Sequence, residues 1–192
     1  AVTSFASVSG LRADAARKNG FDDIGLRLKR KLPEPRKSFV PDGVIAFDLD
    51  SGRRLWTTQV MANDAYVREC PGKYRPNVPT ENKSETCPDD LGPDMDFGQA
   101  PMLRTLPDGR TLLVVGQKDG HAWALDPDRQ GAVVWSRQVG LGLDGGGGAI
   151  MWGAASDDRL AYFPITRAST PLGLAALNLA TGEIAWRASP PE

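Results

Sequence analysis

The sequence predicts an all-β fold built from a repeated β-hairpin. Short apolar runs are separated by 21 Gly and 15 Pro residues in a chain of 192, a composition typical of many short strands and turns. One hairpin pattern occurs three times, which is the sequence signature of a repeat architecture. No segment has good amphipathic helical spacing, apart from a weak helix candidate at residues 14–19.

Each copy of the repeat is an apolar run that ends in Asp or Asn, followed by a Gly that precedes a Trp by four positions. The Asp or Asn side chain can hydrogen-bond the turn backbone, and Gly supplies a positive φ where the chain reverses. The Trp can then fill the gap between neighbouring sheets. The Gly–Trp pairs are Gly52 and Trp56, Gly131 and Trp135, and Gly182 and Trp186.

A hairpin of this size cannot bury both of its faces alone, so its copies must stack, and radial stacking of four-stranded sheets gives a β-propeller. Further strands are predicted at residues 111–116, 159–165 and 3–8. The sequence therefore predicts a β-propeller of four-stranded blades, forming one domain over residues 1–192. Because the first two Trp of the repeat lie further apart than the last two, an insertion is predicted around residues 70–87.

A second irregular stretch is predicted at residues 10–43. It is basic and is broken by two prolines, and its charge permits two interpretations. One is a docking surface for an acidic partner; the other, which is favoured, is a solvated surface loop. The basic residues are Arg27, Lys29, Arg30, Lys31, Arg36 and Lys37.

The overall charge balance excludes some partners. A formal net charge of −1 gives no general attraction to nucleic acid or to an anionic membrane. No apolar stretch is long enough to span a bilayer, and residues 1–10 lack the basic start and long apolar run of a signal peptide. The chain is expected to be either mature or a fragment.

The two cysteines, Cys70 and Cys87, are each followed by Pro and flank a polar stretch. Neither lies in a CxxC or CxxCH pattern, which argues against zinc and against covalent haem. A disulfide that closes this loop is predicted, and it implies an oxidising compartment. The alternative is two free thiols in a cytosolic protein.

Three motifs between the hairpins carry a resemblance to a known family. Cys70-Pro71 to Cys87-Pro88, followed by GPDMDFGQAP at residues 92–101, resembles the "NCP … GPDFDFG-x-x-P" stretch of polyvinyl alcohol dehydrogenases. VGQKDG at 115–120 is similar to their "AGQKSG" turn, and GGGGAIMWG at 145–153 to their "GGALGGIxWG". The hairpin A-x-D-x-x-T-G-x-x-x-W is the blade signature of quinoproteins that use pyrroloquinoline quinone (PQQ). The resemblance covers roughly residues 44–188, in matching order.

The resemblance implies a partial β-propeller: this chain supplies about three to four four-stranded blades from the C-terminal part of an eight-bladed PQQ-type propeller. The remaining blades are expected to come from another segment or chain. Within it, residues 64–98 are expected to form the disulfide loop and the active-site segment. The chain departs from the family at Gly10 to Asp14, which does not match the "GDNYS" segment expected there, and in its longer basic stretch before Val44.

In such a protein the cofactor supplies the redox chemistry, and the resemblance implies PQQ with Ca²⁺ as a Lewis acid. Trp152 is assigned the role of stacking on the quinone, and the Gly-rich run that includes Gly148 lets the backbone approach closely. The alternative for Trp152 is another plug between blades, like Trp56.

The resemblance also implies catalytic roles for Asp94, Asp96 and Lys118. One of the two aspartates is the general base; Asp94 is preferred and is also the expected Ca²⁺ ligand, whereas both could instead cap turns. Lys118 is expected to place its charge against the quinone carbonyl, with an exposed hairpin lysine as the alternative. His121, the only histidine, is expected to be structural.

The function implied is oxidation of alcohols by hydride transfer to PQQ, with electrons passed to a cytochrome c, in a periplasmic or secreted protein. The alternative from another class is a non-catalytic propeller module, such as the lipoprotein of the outer-membrane protein assembly machinery, which shares the hairpin repeat and needs no quinone site.

Overall fold

The computed structural model describes residues 2–8, 42–61, 64, 66–73, 75–83, 87, 91–142, 148–166 and 171–190. They form three antiparallel sheets of consecutive strands. The basic stretch at 10–41, the helix candidate at 14–19 and Gly145–Gly147 lie outside the described residues. The strand that follows the basic stretch begins at Asp42, so the last two residues of the range expected to be irregular are strand.

The first sheet has three strands in the order β1 (Val2–Val8), β2 (Asp42–Asp48) and β3 (Arg54–Met61). The second has the order β4 (Met102–Thr105), β5 (Thr111–Gly116), β6 (His121–Asp126) and β7 (Ala132–Gln138). The third has the order β8 (Ala155–Ser156), β9 (Leu160–Ile165), β10 (Gly173–Asn178) and β11 (Ile184–Ala188). Every pairing is antiparallel. The three predicted accessory strands are thus confirmed, and the long insertion separates β3 from β4.

The middle sheet is buried on both faces, which is what makes the sheets stack. Along β5, side chains alternate: Leu113 and Val115 pack with Val44 and Trp56 of the first sheet, whereas Leu112 and Val114 pack with Phe163 and its neighbours in the third sheet. A strand with two apolar faces reads as a continuous apolar run, as residues 112–115 do. Successive sheets packed face to face are the blades of a propeller, and the predicted partial propeller is confirmed.

The predicted turn chemistry is also confirmed in all three hairpins. Asp48 Oδ1 accepts the N–H of Ser51 at 2.9 Å, and Asn178 Oδ1 accepts the N–H of Ala180 at 2.9 Å. Asp126 Oδ1 does the same for Asp128 at 2.9 Å. The second hairpin has one residue more before its Gly, and it accommodates that residue with a 3₁₀ turn at Pro127–Arg129 and a left-handed Gln130 at φ 56°. The repeat glycines have φ between 67° and 72°.

The repeat Trp of each blade packs on the turn Gly of the next blade. A Cβ on Gly131 would lie 2.5 Å from the ring of Trp56, and a Cβ on Gly182 would lie 2.6 Å from Cδ2 of Trp135. Trp135 Nε1 also donates to the carbonyl of Leu179 at 2.8 Å. No turn among the described residues packs on Trp186, which is 41% exposed, compared with 8% for Trp135. The repeat Trp is therefore an inter-blade contact, as predicted.

Candidate functional site

The turn between β5 and β6 lies at the centre of the site. It is closed by hydrogen bonds between Gln117 and His121 and between Gly120 and Gln117, at 2.8 and 3.0 Å. The backbone of Lys118 bonds outward on both sides: its N–H donates to the carbonyl of Asp96 at 3.1 Å, and its carbonyl accepts the N–H of Ala149 at 2.7 Å. The structure thus brings together the three motifs that lie apart in the sequence.

Lys118, Asp94 and Asp96 form one ion-paired group, called here the Lys118 cluster. The Lys118 Nζ lies 2.6 Å from Oδ1 of Asp94, in a hydrogen bond, and 2.5 Å from Oδ1 of Asp96. The Asp96 contact is an ion pair without hydrogen-bond alignment. The side chains are 14%, 23% and 11% exposed for Lys118, Asp94 and Asp96, so Asp94 is the more accessible of the two carboxylates.

The cluster keeps Lys118 charged. Burial acts to lower the pKa of the Lys118 ammonium, but its contacts with the carboxylates of Asp94 and Asp96 outweigh the effect of burial, and the pKa lies above its ordinary value. Lys118 is therefore not the freely exposed hairpin lysine that the sequence also allowed. A fixed cation of this kind suits an oxygen on which negative charge develops.

Asp64 is a further carboxyl at the site, for which the sequence predicted no role. It lies three residues beyond β3 and is 4% exposed. Burial, together with the charges of Asp96 and Asp94, raises the pKa of Asp64 to about 7, against the opposing effect of a hydrogen bond from the backbone of Met95. Its one sequence signal is its position at the first residue of the range expected to hold the active-site segment.

Two glycines let the backbone segments of the site approach each other. A Cβ on Gly148 would lie 2.5 Å from Cβ and Cγ of Lys118, and a Cβ on Gly98 would lie 2.7 Å from the carbonyl oxygen of Met151. Any larger side chain at either position would push these segments apart. The predicted close approach of the backbone at Gly148 is thus made toward Lys118.

Trp152 follows Met151 directly and is 75% exposed. It differs in this from Trp56 and Trp135, which are buried between sheets at 9% and 8% exposure. The arrangement does not match the inter-blade plug that the sequence left open for Trp152. Its stacking role stays a prediction, and its indole is accessible to a planar ligand.

The expected Ca²⁺ would be held by carboxyl oxygens of the site. Among the described residues, no group of three or more His, Cys, Asp or Glu is arranged to hold a metal ion. Asp94 and Asp96 each have an oxygen at Lys118, and the role of Asp94 as a metal ligand stays a prediction. Two carboxylates, those of Asp94 and Asp96, contact the Lys118 ammonium, and carboxylate oxygens are the donors that Ca²⁺ takes.

His121 has a local partner. Its Nδ1 lies 2.8 Å from Oδ2 of Asp119, and this hydrogen bond raises the pKa of the imidazole above its ordinary value. The Asp119 carboxylate also accepts the backbone N–H of His121 at 2.8 Å. These contacts hold the turn that carries Lys118, in keeping with the structural role expected for His121.

The insertion between β3 and β4 is closed by the predicted disulfide. Cys70 and Cys87 are bonded, with Cα atoms 5.6 Å apart and a sequence separation of 17. They pack with Leu91 and Val67 in a small apolar group of their own. Leu91 lies just before the 92–98 segment, so the disulfide fixes the start of the stretch that leads to the Lys118 cluster.

The fold and this site define the chain as part of a β-propeller with a charged cluster at one edge of its blades. Its sequence is similar to two proteins named polyvinylalcohol dehydrogenase. It is 40% identical over 151 residues to the one from Sphingopyxis sp. (strain 113P3) and 36% identical over 149 residues to the one from Pseudomonas sp. Both alignments cover 76% of this chain, which confirms the family resemblance predicted from the motifs. The chain spans only 22% and 21% of the length of these relatives.

Among solved structures, the chain is similar to the quinohemoprotein alcohol dehydrogenase of Comamonas testosteroni. The TM-score is 0.47 at 20% identity, over 76% of this chain and 18% of the other. It is also similar to BamB of Moraxella catarrhalis, with a TM-score of 0.44 at 20% identity, over 76% of this chain and 34% of the other. No family model matches the sequence. Within the described part of the chain, no helix has the length and apolar character needed to cross a bilayer.

Proposed function

We propose that this chain supplies one part of the active site of an alcohol dehydrogenase that uses PQQ and Ca²⁺. The observation that carries the proposal is the Lys118 cluster: one turn lysine is ion-paired with two carboxylates and bonded through its backbone to both other motifs of the resemblance. A propeller needs no such buried charge for stability, since removing charges from water opposes folding. Perturbed, clustered charges of this kind are typical of functional sites.

Each residue has a separate role in the proposal. Trp152 offers an exposed indole on which a planar quinone can stack, and Lys118 directs its ammonium at a quinone oxygen. Gly148 gives the backbone room beside the Lys118 side chain. When bound, PQQ would accept the hydride of the alcohol, and Ca²⁺ would polarise its carbonyl. The surplus of carboxyl groups over ammonium groups is what favours a divalent cation here.

Asp94 is the preferred general base, and Asp96 is its rival. Asp94 is 23% exposed on its side chain, whereas Asp96 is 11% exposed, so an alcohol can reach Asp94 more readily. In this role Asp94 takes the hydroxyl proton on a carboxylate oxygen. Lys118, 2.6 Å away, holds that oxygen in place before the proton arrives.

The relatives extend the proposal to the whole protein. Two of them carry the name polyvinylalcohol dehydrogenase, so a polymeric or secondary alcohol is the proposed substrate, and a cytochrome c is the proposed electron acceptor. The disulfide favours a periplasmic or secreted location. Further blades, from another segment or chain, would complete the propeller and the cofactor pocket.

Single substitutions in a polypeptide that carries the complete propeller test the proposal. Asp94→Asn should lower turnover by about 10²–10⁴-fold, the usual effect of losing a general base, and leave PQQ binding nearly intact. Lys118→Ala should lose both turnover and PQQ affinity. Asp96→Asn is the matched control: if it alone lowers turnover, the base is Asp96 and the pocket stands. Unchanged alcohol oxidation in all three variants would contradict the proposed site.

A further inference from the structure

The seam between the second and third sheets opens at the end that carries the Lys118 turn. Along most of its length the seam is packed, with Val114 and Trp135 of the second sheet in one apolar cluster with Phe163 and Leu177 of the third. Beyond the last strand pairs it widens into a cavity of about 510 Å³, which lies in the size range of small-molecule sites. This cavity, called here the seam cavity, is lined by residues 138–141, Ile165, 171–174 and 187–189.

One wall of the seam cavity is the segment that follows β7. The N–H groups of Val139 and Gly140 donate to the carbonyl of Gly120 at 2.8 and 3.3 Å. A Cβ on Gly120, whose φ is +97°, would lie 2.0 Å from the carbonyl oxygen of Gly140. The segment is therefore held against the turn of its own sheet, which leaves the space beside the third sheet open.

The opposite wall is formed by the start of β10 and the end of β11. A Cβ on Gly173, whose φ is +141°, would lie 2.0 Å from the carbonyl oxygen of Ala188, so the two strands are in close backbone contact at the cavity. Because backbone contacts fix both walls, the cavity is formed before any ligand binds, as small-molecule sites usually are.

Arg187 is the only charged residue among the described residues that line the seam cavity. Its side chain reaches across the seam, where Nη1 donates to the carbonyl of Val139 at 2.8 Å. A guanidinium has five N–H donors, and in the described part of the chain no carboxylate forms an ion pair with Arg187. The bond to Val139 thus holds the guanidinium at the cavity wall, with its charge available to a ligand.

The rest of the lining is largely apolar. Leu141 and Leu172 come from opposite walls and are 47% and 45% exposed, and Leu174, Ile165 and Val139 lie in the same lining. Apolar side chains exposed around a concave surface indicate a site for an apolar group. An apolar lining with a single cation suits a ligand that has an apolar body and one negative group.

We propose that the seam cavity binds an amphipathic anion, namely an aliphatic chain that ends in a carboxylate. The Arg187 guanidinium holds the carboxylate, a charge-assisted pairing that is stronger than a neutral hydrogen bond, and the aliphatic chain lies along Leu141 and Leu172. None of the residues of the Lys118 cluster lines this cavity, so the inference does not rest on the proposed alcohol oxidation.

Calorimetric titration with a series of carboxylates, on a polypeptide that carries the complete propeller, is the first test. Octanoate should bind saturably, and each CH₂ lost on going to hexanoate and butanoate should weaken binding by about 4-fold. Octanamide, which has the same chain and no charge, should bind about 10-fold more weakly than octanoate. Absence of saturable octanoate binding, affinity that does not depend on chain length, or equal binding of octanoate and octanamide would overturn the proposal.

Two arginines that bond across the same seam supply matched variants. Arg187→Gln removes the charge at the cavity. Arg137→Gln removes a charge whose Nε donates to the carbonyl of Gly182 at 2.9 Å, and Arg137 does not line the cavity. Arg187→Gln should weaken octanoate binding by about 10-fold and remove its advantage over octanamide, whereas Arg137→Gln should leave both unchanged. Equal effects of the two substitutions, or full octanoate affinity in Arg187→Gln, would refute the assignment to Arg187.

The apolar wall is tested by a second pair of variants at exposed positions, where substitution leaves the packed seam intact. Leu172→Asp places a negative charge in the lining and should abolish octanoate binding. Val133→Asp, at a position 48% exposed on β7 and outside the lining, should bind octanoate as the unmodified protein does. Thermal melts check that both variants are folded. Unchanged octanoate binding in folded Leu172→Asp would show that the ligand lies elsewhere.

Discussion

Substituting the repeat glycine tests how the blades are held together. Gly182 has φ +71°, and a Cβ there would lie 2.6 Å from Cδ2 of Trp135, inside the distance that real Cβ atoms keep. The left-handed conformation costs an alanine about 1–2 kcal/mol. Forcing an extra methyl into a packed interface costs about 1–3 kcal/mol more. Gly182→Ala should therefore lower the free energy of unfolding by about 3 kcal/mol.

Gly52 supplies a matched control for this substitution. It occupies the same turn position in the first hairpin at φ +67°, but a Cβ there would meet nothing within 4 Å. Gly52→Ala should therefore lose only the backbone contribution of about 1 kcal/mol. Urea denaturation followed by tryptophan fluorescence measures the free energy of unfolding of both variants. Gly131→Ala should resemble Gly182→Ala, because a Cβ on Gly131 would meet the ring of Trp56. Equal losses at Gly52 and Gly182 would refute the packing of each Trp on the next turn.

Three other predictions follow from the same structure. Reduction of the Cys70–Cys87 disulfide, which closes a loop of sequence separation 17, should lower the free energy of unfolding by about 3 kcal/mol. Intact mass with and without reductant measures whether the disulfide is present. Two free thiols in freshly purified protein would contradict it. The isolated chain should associate in sedimentation, because Trp186 and Ile184 are 41% and 39% exposed on the outermost strand and unpaired blade edges favour association. Trp186→Ser should reduce this association. A well-behaved monomer would contradict the expectation that further blades cover this strand. Folding raises the pKa of Asp64 from 3.8 to about 7, so between these two pH values the folded chain keeps a proton on Asp64 that the unfolded chain has released, and the free energy of unfolding falls as the pH rises. Thermal melts of Asp64→Asn at several pH values should lack the part of this fall that Asp64 causes. An unchanged pH dependence in this variant would show that Asp64 is not its cause.

The blades were predictable because their chemistry is local. An Asp or Asn followed by a Gly that lies four residues before a Trp is enough to predict the hairpin, and the apolar run at 112–115 is enough to predict a strand. The extra residue before Gly131 was not interpreted, because a left-handed Gln130 leaves no pattern in composition or spacing.

The Lys118 cluster could be predicted only through the family resemblance. Lys118 and the two aspartates stand in unremarkable turn sequences, and nothing in their spacing indicates an ion pair. Asp64 was missed because no pattern around it in the sequence indicates a buried carboxyl close to the charges of Asp94 and Asp96. The exposure of Trp152 likewise depends on how the segment after Gly148 packs on Lys118. No periodic pattern in the sequence indicates this packing.

Titration with PQQ in the presence of Ca²⁺, followed by absorbance, tests the proposed cofactor site when it is made on a polypeptide that carries the complete propeller. We expect saturable binding that Trp152→Ala weakens by about 1–3 kcal/mol, judged from aromatic stacking on planar bases. Absence of binding, or binding that is unaffected by substitution of Trp152, Lys118 and Asp94 alike, would contradict the account and favour a propeller that serves as a binding module.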